Sequence, residues 1–158
     1  PEMAAVAAAA GSPIVLVHSR GELGTMQRGI RFSDVVAEVR SELAARVDAA
    51  LAAGLRREAL IVDPGIGFGK TARQNLQLLA RLDRIDLGLP VLVGASRKSF
   101  LGEVTVAAPA ERLPGSLAAA AWAAYHGAAV VRVHDVAETR QFLAVWRSIR
   151  DVAGEERG

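Results

Sequence analysis

The stretch IVDPGIGFGKT, Ile61 to Thr71, decides how the whole chain is read. Leu60, Ile61 and Val62 make an apolar strand pattern that runs straight into Asp63. A Pro-Gly turn and two further glycines follow, with the aromatic Phe68 between them. Thr71 then opens a helical pattern. The order is strand, acid-bearing loop, helix. An acid where a parallel strand ends stands where α/β folds bind their ligands. Two nucleotide motifs come close here and fail. A Walker A loop needs GxxxxGK[ST]; Gly69, Lys70 and Thr71 fit its end, but its first glycine would fall on Pro64, which has no N–H for a phosphate. A GxGxxG fingerprint starting at Gly65 meets Lys70 at its last position. The bland alternative is a Gly-rich connection carrying a solvated aspartate, and the pattern alone leaves both readings open.

Working outward, the same alternation repeats. Residues 2–10 are Ala-rich and helical, stopped by Gly11. Ile14 to Val17 is a continuous apolar run, as in strands buried on both faces. It ends at His18-Ser19-Arg20, and 22–32 read as a loop. Ser33 is expected to cap the next helix, with Asp34 in its first turn. Val36, Val39, Leu43, Val47 and Leu51 form its apolar stripe, and Gly54 ends it. The second strand is Ala59 to Val62. Its helix starts at Thr71, with Gln74 completing a capping box, and a stripe of Leu76, Leu79 and Leu82 widened by Leu78 and Ile85. The third strand, Val91 to Val93, runs into GASRKSFLG, and 103–111 read as a loop. A helix from about Pro114 to His126, a strand from Ala129 to Val133 and a last helix opened by Asp135 and Glu138 complete the chain before the polar tail GEERG.

One helix followed by four strand–helix units with fully apolar strands implies a parallel sheet. A complete (β/α)8 barrel takes about 250 residues, so this chain of 158 residues is expected to form about half of one, the last four strand–helix units. The runner-up is a small open doubly wound sheet. The chain begins Pro-Glu-Met-Ala, as if inside a helix already under way, and reads as the C-terminal half of a single barrel domain spanning 1–158.

Composition narrows the function. With 51% hydrophobic residues the chain is not of disordered type, and a net charge of +2 leaves no electrostatic footprint for nucleic acid. It has no cysteine, which excludes disulfides, thiol catalysis and thiolate metal sites. No apolar run approaches a membrane span and the start is not a signal peptide, so a cytoplasmic domain is the default expectation.

The polar groups after each strand are His18-Ser19-Arg20, Asp63 with Phe68, Ser96-Arg97-Lys98-Ser99, and Arg132 with His134. One residue separates Arg132 from His134, so at a strand end both point the same way, a pair suited to an anion. Lys98 adds charge nearby. A lone carboxylate among cations, Asp63, suits the N–H edge of a heterocycle. The bland readings are an Arg132 paired with Asp135 or Glu138, a structural His18 and a helix-capping Asp135. Ser96 fails the nucleophile-elbow pattern because Lys98 stands where a glycine belongs.

DPGIGFGKT, LVGASRKSFLG, RLPGSLAAAAWA and VVRVHDV, in this order, resemble the dihydropteroate synthases over nearly the whole chain. The resemblance implies the joining of 6-hydroxymethyl-7,8-dihydropterin diphosphate to 4-aminobenzoate, with release of diphosphate, and competition by sulfonamides. By motif, Asp63 would hold the pterin's amino-pyrimidine edge and Gly94 would let the pterin approach the backbone. Lys98 would bond the pterin ring, Ser99 the aminobenzoate carboxylate, and Phe68 would wall its ring. Arg132 and His134 would bind diphosphate. The resemblance also implies Mg²⁺, whose protein ligand belongs to the family's first half, and a homodimer. Ser19, where a bulky apolar residue is usual, and Pro114, in place of an acid, depart from the pattern. This half alone is expected not to turn over. Two alternatives are a pterin-binding methyltransferase domain and a non-catalytic paralogue of the synthase.

Overall fold

A computed structural model describes residues 2–21 and 31–155. The elements are α1 (Glu2–Ala10), β1 (Ile14–Val17), α2 (Val35–Ala52), β2 (Leu60–Asp63), α3 (Ala72–Ala80), β3 (Val91–Val93), α4 (Ser99–Thr105), α5 (Leu113–Tyr125), β4 (Ala128–Val131) and α6 (Val136–Glu155). Most of the loop expected over 22–32 and the end of the GEERG tail lie outside the described residues.

The strands pair in the order β1-β2-β3-β4, each parallel to the next. A doubly wound sheet reverses its strand order partway. This sheet never does, which removes the open-sheet alternative and leaves an arc of a barrel. Right-handed crossovers in such an arc lay every helix on one face. The core forms there: Leu60 and Val62 of β2 and Val91 and Val93 of β3 belong to one buried cluster with Val39, Leu43 and Val47 of α2. Burial of large apolar side chains of this kind is worth about 1.5–3 kcal/mol each.

The opposite face is open, as expected of half a barrel. Val15 pairs in register with Ile61 and Leu92 with Val130, and Val15 and Val130 are each 40% exposed. Continuous apolar runs suit strands covered on both faces in a whole barrel, and a half taken alone is expected to leave one face open. One layer of helices covers only one, and the inner face of an arc is covered by the strands that close a barrel.

Local chemistry decides several boundaries. Asp34, not Ser33, caps α2: its carboxylate accepts the N–H of Val36 at 3.0 Å and of Ala37 at 3.1 Å. The Ser33 and Asp34 N–H groups turn instead to Glu38 Oε1, at 2.6 and 3.0 Å. The Thr71–Gln74 capping box forms as expected. Leu76 does not join the α3 stripe and is 43% exposed, because the chain tightens into a 3-10 turn over Leu82–Ile85 and the buried face becomes Leu78, Leu79, Leu82 and Ile85. Residues 99–105 form α4, which buries Phe100 and Leu101, so the expected loop is shorter. β2 starts one residue late and ends on Asp63, and β4 spans 128–131 rather than 129–133.

Replacing Asp34 with Ala is expected to cost about 1 kcal/mol in urea unfolding, and Ser33→Ala to leave the midpoint unchanged. The reverse ranking would return the cap to Ser33.

Candidate active site

All four strands end at one edge, and the polar groups expected there converge on it. β2 delivers Asp63, only 3% exposed, whose Oδ1 accepts the Gly65 N–H at 2.7 Å. Burial pushes the Asp63 carboxyl up; the Gly65 N–H, then the charges of Lys98, Arg132 and Lys70, oppose that rise. Gly65 has a φ of 68°, and a Cβ there would sit 1.8 Å from the His18 carbonyl oxygen, so no other residue fits this turn.

The loop after Asp63 is folded around Lys70, itself 5% exposed. Lys70 Nζ lies 2.9 Å from His18 Nδ1, 2.9 Å from the Gly65 carbonyl and 3.0 Å from that of Phe68. Those three acceptors match the three N–H bonds of an ammonium. Burial pulls Lys70 down to about 7, with Asp63 the main opposing influence. An ammonium cannot accept, so His18 Nδ1 must, which leaves the proton on Nε2 to donate to Glu42 Oε2 at 3.0 Å. Glu42 in turn accepts Arg20 Nε at 2.9 Å. Burial first, then the Lys70 charge, pull His18 down to about 4. His18 is fully buried in this network, which agrees with its structural reading. On the far side of the loop, Asn75 Oδ1 accepts the Gly67 N–H at 2.7 Å.

The loop after β3 carries Lys98 back over this turn. Its Nζ donates to the Ile66 carbonyl and lies 4.4 Å from the centre of the Phe68 ring. Burial pulls Lys98 down to about 8, with Asp63 opposing. Ser99 opens α4 and is exposed. The space above Gly94 holds the Arg132 guanidinium, whose Nη2 would be 2.8 Å from a Cβ at Gly94.

Arg132 and His134 are both exposed with half-buried Val133 between them, so they share a side. The Arg132 backbone N–H still ties to Val93 O at 2.9 Å. Among the described residues the Arg132 guanidinium forms no ion pair. The partner suspected for it, Asp135, is taken by Arg97, which donates through Nε at 3.1 Å and through Nη2. At the start of α6 it is the Asp135 backbone carbonyl that accepts the Thr139 N–H, at 3.0 Å. Sequence reasoning weighed Ser96 only as a nucleophile and missed its contact with His134, 3.1 Å from Nδ1; it gave Lys70 no role beyond a rejected phosphate motif. No local signal marks Arg97, a non-glycine residue at φ 57°.

A buried acid ringed by Lys98, Arg132 and Lys70, next to an exposed Arg–His pair, can grip a heterocycle's N–H edge and an anion together. Fold and site define a half-barrel of the parallel β/α class with its candidate site at the C-terminal edge of the strands. Residues 1–134 match the family model described as pterin binding enzyme, and the chain belongs to that family. It is 45% identical over 140 residues to the dihydropteroate synthase of Escherichia coli K12, covering 88% of this chain and 50% of that protein. The crystal structure of dihydropteroate synthase from Stenotrophomonas maltophilia superposes with a TM-score of 0.90 at 47% identity, over 93% of this chain and 56% of that one. The Xanthomonas albilineans enzyme in complex with 7,8-dihydropteroate gives 0.87 at 43% identity, over 95% and 55%. The chain spans about half the length of the curated relatives it matches.

The His18 network has a pH signature. His18 sits at about 4 against an ordinary 6.5. Between those values the unfolded chain takes up a proton that the folded chain refuses, so stability is lost as pH falls through that window. Nitrogen-15 NMR is expected to show a neutral, Nε2-protonated His18 at about pH 5.5, with the urea midpoint falling below about pH 6.5. An imidazolium there at pH 5.5 would refute the network.

Proposed function

We propose that this chain supplies half of a dihydropteroate synthase active site, joining 6-hydroxymethyl-7,8-dihydropterin diphosphate to 4-aminobenzoate. The observation that carries this reading is the buried Asp63 carboxylate, flanked by Lys98 and Arg132, at the same strand edge as the Arg132–His134 pair.

Asp63 accepts hydrogen bonds from the pterin's amino-pyrimidine edge, and burial strengthens that recognition by excluding water. Lys98 donates to the pterin ring and lies beside the 4-aminobenzoate site. Phe68, held under the Lys98 ammonium, walls the aminobenzoate ring, and Ser99 at the head of α4 meets its carboxylate. Arg132 and His134 grip the diphosphate. In the reaction the bond from the pterin methylene to the diphosphate oxygen breaks and its electron pair leaves with diphosphate. The arylamine nitrogen then bonds to the methylene carbon and loses a proton. Negative charge grows on the leaving group, where Arg132 and His134 stabilise it. No protein nucleophile is required.

Mg²⁺ does not fit the residues of this chain as a protein-held ion. No group of three or more His, Cys, Asp or Glu among the described residues could hold a metal, and the pair placed for the diphosphate is a donor pair. The ion belongs to the diphosphate and to the other half of the barrel, and no step here depends on it.

The exposed apolar side chains of α6, Phe142, Val145 and Ile149, beside Trp146, form the face on which a second copy would pack. Trp122 is half exposed, and its Nε1 donates to Leu79 O at 3.0 Å. No helix among the described residues is long and apolar enough to cross a membrane. Sulfonamides would compete for the aminobenzoate site.

Diphosphate release with both substrates tests the reading. The chain alone is expected to be silent, and the complete barrel to turn over only when 4-aminobenzoate is present. Arg132→Ala should then lower kcat by roughly 10²–10³. Release that ignores Arg132→Ala would overturn the assignment. Transfer of a methyl group instead of amine condensation would favour the methyltransferase alternative, and a complete barrel that binds pterin without turnover would favour the paralogue.

A further inference from the structure

Ser96 has no role in the reaction as described, yet it is 5% exposed and lies against one of the residues that grip the diphosphate. Its Oγ accepts the His134 backbone N–H at 3.3 Å and lies 3.1 Å from His134 Nδ1. We propose that Ser96 is a positioning residue that holds His134 as the Nε2–H tautomer, presenting that N–H to the leaving diphosphate.

A serine hydroxyl has one hydrogen and two lone pairs. One lone pair takes the His134 backbone N–H. The hydrogen needs an acceptor, because a buried donor left unpaired is costly. Among the described residues, His134 Nδ1 is the acceptor within reach of it. If Nδ1 carried a proton and donated to Oγ, the hydroxyl hydrogen would have nowhere to go. The proton on the neutral ring therefore belongs on Nε2, and His134 is itself exposed at the ligand-binding edge. A second partner fixing the first nitrogen of a histidine commonly decides what the other nitrogen does.

Ser96 is not loosely placed. The next residue, Arg97, is held at a φ of 57°, a conformation that persists for a non-glycine residue only under several restraints. Its N–H donates to Ser116 Oγ at 3.0 Å, and its carbonyl accepts Arg112 Nη1 at 3.0 Å. Its side chain pairs with Asp135, the residue after His134. The backbone bearing Ser96 is tied to the backbone bearing His134 before the contact, by the Arg132 N–H to Val93 O at 2.9 Å, and after it, by Arg97 to Asp135. With both backbones held, turning the hydroxyl away about χ1 would leave its buried hydrogen without an acceptor.

The tautomer follows from this geometry alone; its use on diphosphate rests on the function proposed above. Two readouts keep them apart. Nitrogen-15 NMR of the neutral His134 ring should show one tautomer, protonated at Nε2, in the native protein and in Ser96→Thr, and a mixture of both in Ser96→Ala. In the complete barrel, Ser96→Ala should lower kcat about tenfold with little change in KM, Ser96→Thr should restore it, and His134→Gln, which offers a donor near Nε2, should outperform His134→Asn. A native His134 protonated at Nδ1, or a tautomer unmoved by Ser96→Ala, would overturn the proposal. The native spectrum decides even if Ser96→Ala fails to fold. The predicted tautomer without diphosphate release would sink the reaction and leave the positioning role standing.

Discussion

The Lys70 ammonium is the contact on which the site depends. It is buried at the centre of the Gly65–Phe68 turn and is satisfied there by two carbonyls and by His18 Nδ1. Backbone carbonyls rarely point inward in so short a loop unless something pairs with them. Lys70 turns those of Gly65 and Phe68 inward, and Lys98 takes the one between, from Ile66, out of the neighbouring loop. Two lysines thus staple one glycine-rich turn from two directions. The turn then holds the Gly65 N–H on Asp63 and keeps the Phe68 ring under Lys98.

Anchoring runs deeper than the loop. His18 passes the Lys70 contact to Glu42 on α2, and Arg20 closes on the same carboxylate. Arg46, also on α2, donates to the carbonyls of Val17 and Ser19. The end of β1, the turn after β2 and the body of α2 are therefore one hydrogen-bonded unit. What that rigid unit presents is electrically lopsided. A single buried carboxylate faces Lys98, Arg132 and Lys70. Removing like charges from water is costly unless opposite charge arrives, and an anionic ligand supplies it. On the function proposed here, the same imbalance would recognise the diphosphate and, through Asp63, orient the ring attached to it.

Much of this was legible in the sequence, because the signals were local. Continuous apolar runs gave the four strands, Thr71 and Gln74 gave the start of α3, and the one-residue spacing of Arg132 and His134 put both on one side. What failed was competition between equally capable neighbours, or contact at long range. Ser33 and Asp34 can each cap a helix; Glu38, binding both their N–H groups, leaves Asp34 to do it. Leu76 has the right spacing, but the tightening beyond Ala80 changes which face is buried. The Arg132 guanidinium lies over Gly94, 38 residues away in sequence. Ser96–His134 and Arg97–Asp135 are each also 38 residues apart, and neither leaves a mark in either segment alone. The open face of Val15 and Val130 follows from the half-barrel reading, but the layer that covers it does not: an apolar strand looks the same whether its second face is covered by helices or by strands across a barrel.

The most direct measurement is calorimetric titration of the complete barrel with the pterin substrate, native against Asp63→Asn. The amide keeps the shape of the carboxylate but turns a donor toward the ring's N–H edge. If Asp63 is the group that grips the pterin, affinity should fall by roughly a hundredfold or more. An unchanged affinity would contradict the account, and would return Asp63 to being a buried cap for the Gly65 turn.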